Sequence, residues 1–255
     1  MKKFFVLLTA LTAFSLTGCN KVTYTEISED KFAEYYTEDK INEAKQNFNL
    51  IYRFYFECEQ LQKMSDFKME YTLKRYFDQQ YYHQYAKQYY FEKKASGDYE
   101  SNGVSNELFL GNEYVEECNY YIVEDGTVNG AKKHEQECLI GQSALDEYDY
   151  YFDINRNIIY HSIENPLYIH ESFISTNYKY YKGSDGTLKI SATDAAGELK
   201  SYTIVNASTL LPIKAACKGT VEFEGDVVTL KLDYSFSYNK SFAHKTPAQI
   251  GYKEE

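Results

Sequence analysis

Residues 228–238 set Val228, Leu230, Leu232, Tyr234, Phe236 and Tyr238 in strict alternation with Thr229, Lys231, Asp233, Ser235 and Ser237. Side chains of a strand point to opposite faces in turn, so the run predicts a half-buried strand with one apolar face. At about 3.4 Å per residue it spans roughly 35 Å. A strand this long belongs to a large antiparallel meander. Its apolar face must be covered by a second sheet, by helices or by a ligand.

The flanking sequence supplies the meander. Gly183-Ser184-Asp185-Gly186 separates two short strands, Gly197 turns into a third, and Pro212 opens a fourth that ends near Cys217. Proline is tolerated at the first residue of a strand. Gly225-Asp226 then turns into the long run. Nearer the N-terminus, Ile41, Ala44, Phe48, Ile51, Tyr55 and Cys58 recur in steps of three and four, the stripe of an amphipathic helix with Thr37 as its N-cap. Residues 48–56 also fit a strand. Ser28 opens an earlier helical turn or two.

Phe67, Met69, Tyr71, Leu73 and Phe77 alternate with polar residues, and Arg75 interrupts the pattern. Taking Gln79 as the centre of a hairpin sets Phe77 opposite Tyr81, Leu73 opposite Tyr85, Met69 opposite Tyr89 and Phe67 opposite Phe91, although Tyr81, Tyr85 and Tyr89 also fit a helix. Gly97-Asp98, Asn102-Gly103, Asp125-Gly126 and Asn129-Gly130 read as turns. Ser143 with Asp146 resembles a helix start, and Leu145, Tyr148, Phe152 and Ile159 line one or two helices between two runs of strands. The fold class expected is mainly β with helices (α+β). It comprises a strongly curved antiparallel sheet, or unclosed barrel, packed by N-terminal and central helices.

Residues 1–19 concern address rather than fold. Lys2 and Lys3 precede an almost wholly apolar run, closed by Leu16-Thr17-Gly18-Cys19. The run suits a secretory signal and is shorter than the roughly 20 residues of a membrane span. The pattern resembles a bacterial lipoprotein signal with its lipobox. That resemblance implies cleavage after Gly18 and a diacylglyceryl (palmitate-type) anchor on Cys19; an ordinary signal peptide with a chance cysteine is the alternative. The division expected is 1–18 signal peptide, 19–27 lipidated N-terminus and tether, and 28–255 a single mainly-β domain at the extracytoplasmic face of the membrane. Loss of residues 1–18 removes two lysines and no acid, taking the formal charge from −11 to −13. So acidic a chain disfavours nucleic acid and anionic headgroups as partners of the folded part.

Outside the cytoplasm thiols can pair. A hairpin centred on Val128 sets Cys118 opposite Cys138, the pair expected to form a disulfide; four unpaired thiols, with Cys58 and Cys217, are the alternative. No catalytic residue, metal site or cofactor is predicted. His134-Glu135-Gln136-Glu137-Cys138 lacks the second histidine of a zinc helix. His83, His161, His170 and His244 have no ligand spacing. The cluster of Asp146, Glu147, Asp149 and Asp153 lacks the pattern of an EF-hand. Neither a Gly-x-Ser-x-Gly elbow nor a P-loop or dinucleotide fingerprint occurs.

Thr209-Leu210-Leu211-Pro212-Ile213-Lys214-Ala215, the strand over 228–238 and Thr246-Pro247 together resemble the C-terminal half of Lol-type lipoprotein carriers and LppX-type lipid-binding lipoproteins. The resemblance covers the C-terminal part of the chain and implies acyl chains held between a curved sheet and its helices. A hydrophobic ligand would then meet Phe67, Met69, Tyr71, Leu73, Leu230, Leu232, Tyr234 and Phe236. The sequence leaves two other readings open: a dry core behind a structural or partner-binding lipoprotein, and a secreted hydrolase.

Overall fold

The computed structural model describes residues 22–50, 53–78, 80–112, 114, 120–168, 177–223, 225–240 and 242–253. In chain order they form β1 (Tyr24–Ile27), α1 (Glu29–Ala33), α2 (Glu38–Asn49), β2 (Phe54–Lys63), β3 (Phe67–Phe77), β4 (Tyr81–Lys93), β5 (Tyr99–Gly111), β6 (Tyr120–Val128), β7 (Ala131–Leu139), α3 (Gly141–Glu164), β8 (Asn177–Gly183), β9 (Thr187–Thr193), β10 (Lys200–Asn206), β11 (Pro212–Phe223), β12 (Asp226–Tyr238) and α4 (Pro247–Ile250). All the strands lie in one antiparallel sheet, ordered β1-β8-β9-β10-β11-β12-β2-β3-β4-β5-β6-β7.

Two meanders, β2–β7 and β8–β12, are joined where the last strand pairs with β2, from Thr229 opposite Lys63 to Tyr238 opposite Phe54. The long helix α3 connects them in sequence. It touches β4 and β5 on one side and β11 on the other, strands separated by β12, β2 and β3, so the unclosed sheet bends around it. The main core lies on this inner side, where Ala44 and Phe48 of α2 and Ala144, Tyr148, Ile159 and Ile163 of α3 meet Phe54, Phe56, Leu73, Phe77, Leu110 and Phe236. Each such side chain contributes about 1.5–3 kcal/mol on burial. Lys45 pairs with Glu164 and the Tyr160 hydroxyl donates to Asn49, tying α2 to α3. Phe32 of α1 packs separately on Leu188, Ile190 and Val205.

Thr37 caps α2, its hydroxyl accepting from the Lys40 N–H at 3.4 Å, with Glu38 and Asp39 in the first turn. The helix stops at Asn49. Tyr55 and Cys58, read as an extension of its stripe, belong to β2, where burial of Phe54, Phe56 and Cys58 follows a period of two. α3 begins at Gly141, two residues before Ser143, without a side-chain cap. Tyr24–Ile27, assigned to the tether, pairs with β8 as an edge strand. β11 extends to Phe223, beyond Cys217.

Two expected registers are corrected. The Asp78 carboxylate accepts from the N–H groups of Gln80 and Tyr81, both at 2.9 Å, and the Asp78 N–H donates to Tyr81 O at 3.0 Å. The turn is therefore one residue tighter than a loop centred on Gln79. Phe77 faces Tyr82, Leu73 faces Ala86, Met69 faces Tyr90 and Phe67 faces Glu92. A one-residue slip exchanges the faces, so Tyr81, Tyr85 and Tyr89 point outward. In the β6–β7 hairpin Asn129 and Gly130 adopt φ of 50° and 77°, the left-handed pair of a tight turn. Val128 then faces Ala131, and Cys138 faces Tyr121 rather than Cys118. Gly103 and Gly126 lie inside β5 and β6 instead of in turns. A Cβ on Gly126 would collide with the Gly103 carbonyl, and one on Gly103 with the Tyr89 ring.

Candidate functional site

Period two and the observed registers bring the predicted ligand-facing residues onto one face. Across the join, Leu230 aligns through Gln62 with Met69, Leu232 through Gln60 with Tyr71, and Tyr234 through Cys58 with Leu73. Phe236 aligns through Phe56 with Arg75. Leu73, Leu230, Leu232 and Phe236 are buried, while Phe67, Met69, Tyr71 and Tyr234 are half-buried. Phe67 continues the face beyond the end of β2, its ring 5.7 Å from that of Tyr90. Burial pushes the Cys58 thiol up to about 12 and Cys217 up to about 11, so both free thiols stay protonated and inert.

Arg75, visible in sequence only as an interruption, proves to be the distinctive group of this face. Its Nε donates to Gln84 Oε1 at 3.0 Å and its Nη1 to Asn155 Oδ1 of α3 at 2.9 Å. The buried Tyr82 hydroxyl donates to the same Gln84 oxygen at 2.8 Å, and Asn155 Nδ2 donates to Tyr151 O. The guanidinium lies over the Phe56 ring, 5.9 Å from its centroid. No carboxylate among the described residues pairs with it. A half-buried guanidinium over one phenyl ring and held by neutral acceptors has several donors left unspent. Burial raises the hydroxyls of Tyr71 and Tyr82, while the nearby Arg75 charge opposes that rise.

Further buried polar atoms on the inner side have no partner among the described residues: the hydroxyls of Ser201 and Thr203, on β10 opposite Cys217 and Ala215. The outer face of the first meander, by contrast, is covered in part by the chain itself. Residues 242–253 run across it, with Phe242 5.1 Å from Tyr76, His244 4.9 Å from Tyr81, and Tyr252 4.7 Å from Tyr121 by ring centroids. His244 Nε2 lies 3.3 Å from Asp78 Oδ2, Lys245 pairs with Glu107, and His83 Nε2 lies 2.8 Å from Glu107 Oε2. Burial lowers the His244 pKa, partly offset by Asp78. Burial works to raise Glu107, but hydrogen bonds from His83 and Lys245 outweigh it and hold the carboxyl below its usual range.

Gly18, Cys19 and Cys118 lie outside the described residues. Cys138 is disulfide-bonded; the ladder reasoning that selected Cys118 as its partner does not survive the observed register. His134 stands on a strand, Nδ1 2.6 Å from Asp125 Oδ1, and not on a zinc helix. Asp146, Glu147, Asp149 and Asp153 occupy the exposed side of α3. Among the described residues no group of three or more His, Cys, Asp or Glu side chains is placed to hold a metal, and no helix is long and apolar enough to cross a membrane.

No protein-family model and no curated protein matches the chain. Among solved structures, the crystal structure of a DUF1329 family protein from Desulfovibrio piger aligns over 82% of this chain and 95% of that chain, at 10% identity and a TM-score of 0.19. A similarity of that size carries no inference about this chain.

Proposed function

We propose that the chain is an extracytoplasmic lipoprotein, anchored by a diacylglyceryl group on Cys19, that binds a lipid or other hydrophobic ligand with an acidic head between its sheet and its helices. The observation that carries this reading is Arg75. Taking a charge out of water is costly unless it is paired, and this half-buried guanidinium sits on an apolar face with only neutral acceptors. A fatty carboxylate or a lipid phosphate would supply the missing charge, with its chain along Tyr71, Met69 and Leu232. The curved sheet with helices on its inner side is the arrangement implied by the resemblance to Lol-type and LppX-type lipoproteins. The alternative of a partner-binding surface has less support: the exposed tyrosines Tyr81, Tyr99 and Tyr178 stand on three strands, β4, β5 and β8.

Two measurements test the proposal. Native mass spectrometry of a Cys19→Ala variant purified without detergent should reveal an acidic amphiphile, and Arg75→Gln should reduce its occupancy while circular dichroism stays unchanged. Protein that is empty in repeated preparations, or equal occupancy in Arg75→Gln, would overturn the ligand. For the anchor, wild-type protein should incorporate a labelled fatty acid and partition with membranes, and Cys19→Ala should do neither.

A further inference from the structure

We infer that the outer face of β9–β11 is a binding site for an elongated phosphate-bearing anion, seated in a groove lined by Lys189, Lys200 and Lys218. The groove has a volume of about 650 Å³ in its counterpart over Gly103 and Gly126, and about 610 Å³ here, both within the ligand-pocket range. Its construction is specific. Lys200 and Lys218 stand directly opposite each other on β10 and β11, and the row continues to Lys231 on β12. Neighbouring strands lie about 4.8 Å apart, and like charges directly opposite destabilise a sheet. Lys231 is relieved by Asp233 at 3.4 Å. Among the described residues neither Lys200 nor Lys218 has a carboxylate partner, although Glu198 lines the same groove.

Lys189 stands about 14 Å along the sheet from that row. Its ammonium lies over the rings of Tyr24, Tyr181 and Tyr202, 5.3, 5.6 and 5.0 Å from their centroids. The rings hold the charge in place without neutralising it. Between the two cationic ends the lining is small or aromatic: Ser191, Ala216 and the flank of Tyr202. The end wall is the turn following β9, which rests on Gly219, where any Cβ would collide with the Glu198 carbonyl and with Leu199 Cα. Gly219 thus lets the turn approach β11 and gives the groove its depth.

The groove over Gly103 and Gly126 makes the argument by contrast. Its Lys133 is engaged by Glu124 and by Glu135, and its His134 by Asp125. That groove is partly neutralised from within, although among the described residues its Lys87, over the Tyr89 ring, and its Lys132 meet no carboxylate; the groove on β9–β11 differs in setting two unpaired lysines, Lys200 and Lys218, directly opposite each other. Depth favours a ligand that enters over a flat bilayer surface, and the separation of the cationic ends favours an extended anion over a single phosphate ion.

The test is calorimetric titration of the purified chain with short-chain inorganic polyphosphate at low salt, repeated at high salt. Binding should weaken with salt. A Lys200→Gln/Lys218→Gln double variant should bind roughly tenfold or more weakly, because two charge-assisted contacts are lost. The Lys200→Arg/Lys218→Arg variant should retain binding, and Lys74→Gln, on the outer face of β3, should change nothing. Absence of polyphosphate binding by the wild type overturns the inference, as does undiminished binding by the double glutamine variant. Tighter binding to polyglutamate or to anionic phospholipid vesicles than to polyphosphate overturns it as well.

Discussion

The two meanders share one sheet but present opposite outer faces. On β3–β7 the outward side chains include Tyr76, Tyr81, Tyr121 and Glu107, and residues 242–253 lie across them. Several cations there meet acids: Lys74 with Glu57, Lys133 with Glu124, His83 with Glu107. On β9–β11 the outward side chains include Lys189, Lys200 and Lys218, which meet no carboxylate within the described residues. A formal charge of −11 describes neither face. Net charge is an average over a surface, and a partner responds to the local field. The exclusion of anionic partners drawn from composition therefore applies to the whole chain and not to β9–β11.

The contrast can be broken first at the join. Phe54 touches Phe77 of one meander and Phe236 of the other, so Phe54→Ala should cost about 3–5 kcal/mol. Both halves should melt in one transition when thermal unfolding is followed by two probes. Separate transitions would show that the meanders are independent units. The next effect concerns the grooves. Gly219→Ala and Gly126→Ala each force a Cβ against backbone, and overpacking of this kind costs about 1–3 kcal/mol. Hydrogen exchange should rise around the altered glycine and not in the other meander.

Thr37→Ala removes the cap of α2, which lies against the inner side, at a cost of about 1 kcal/mol in denaturant unfolding. The smallest effect should follow acidification. The His244 pKa is lowered in the fold, so its contribution is present above the usual histidine value and is lost as pH falls through the folded value. Glu107, also lowered, adds a further loss below the usual carboxylate range. Exchange at residues 242–253 should therefore quicken below about pH 6.5, while β9–β11 stays protected. Equal loosening of both faces would remove the distinction.

Local chemistry made much of this legible in the sequence. Period two assigned Leu230, Leu232 and Phe236 to the buried face, Thr37 announced α2, and Gly183 and Gly186 marked the turn between β8 and β9. What escaped was set by contacts between distant residues or by single atoms. One carboxylate, that of Asp78, tightened a turn and moved Tyr81, Tyr85 and Tyr89 outward. Gly103 and Gly126 resemble turn residues in sequence, yet their role is to admit a neighbouring ring and a neighbouring strand. The inner site was half visible: its apolar members obey the alternation, but the role of Arg75 depends on Gln84 and Asn155. The lysine pair was invisible, because only the pairing of β10 with β11 sets Lys200 beside Lys218.

The pairing of β12 with β2 also imposes an order of events during synthesis. The second strand of the sheet to be made must wait for the last before its free edge is satisfied, and all of β3–β11 with α3 emerges in between. Through that interval Phe54, Phe56 and Cys58 lie along an unprotected border, the kind of surface on which nascent chains stick to one another. A late-closing border also makes folding slow for the chain's size, since so distant a partner brings a large loop-closure penalty. Holding the nascent chain apart from its copies until residue 238 emerges is thus a requirement written into the strand order.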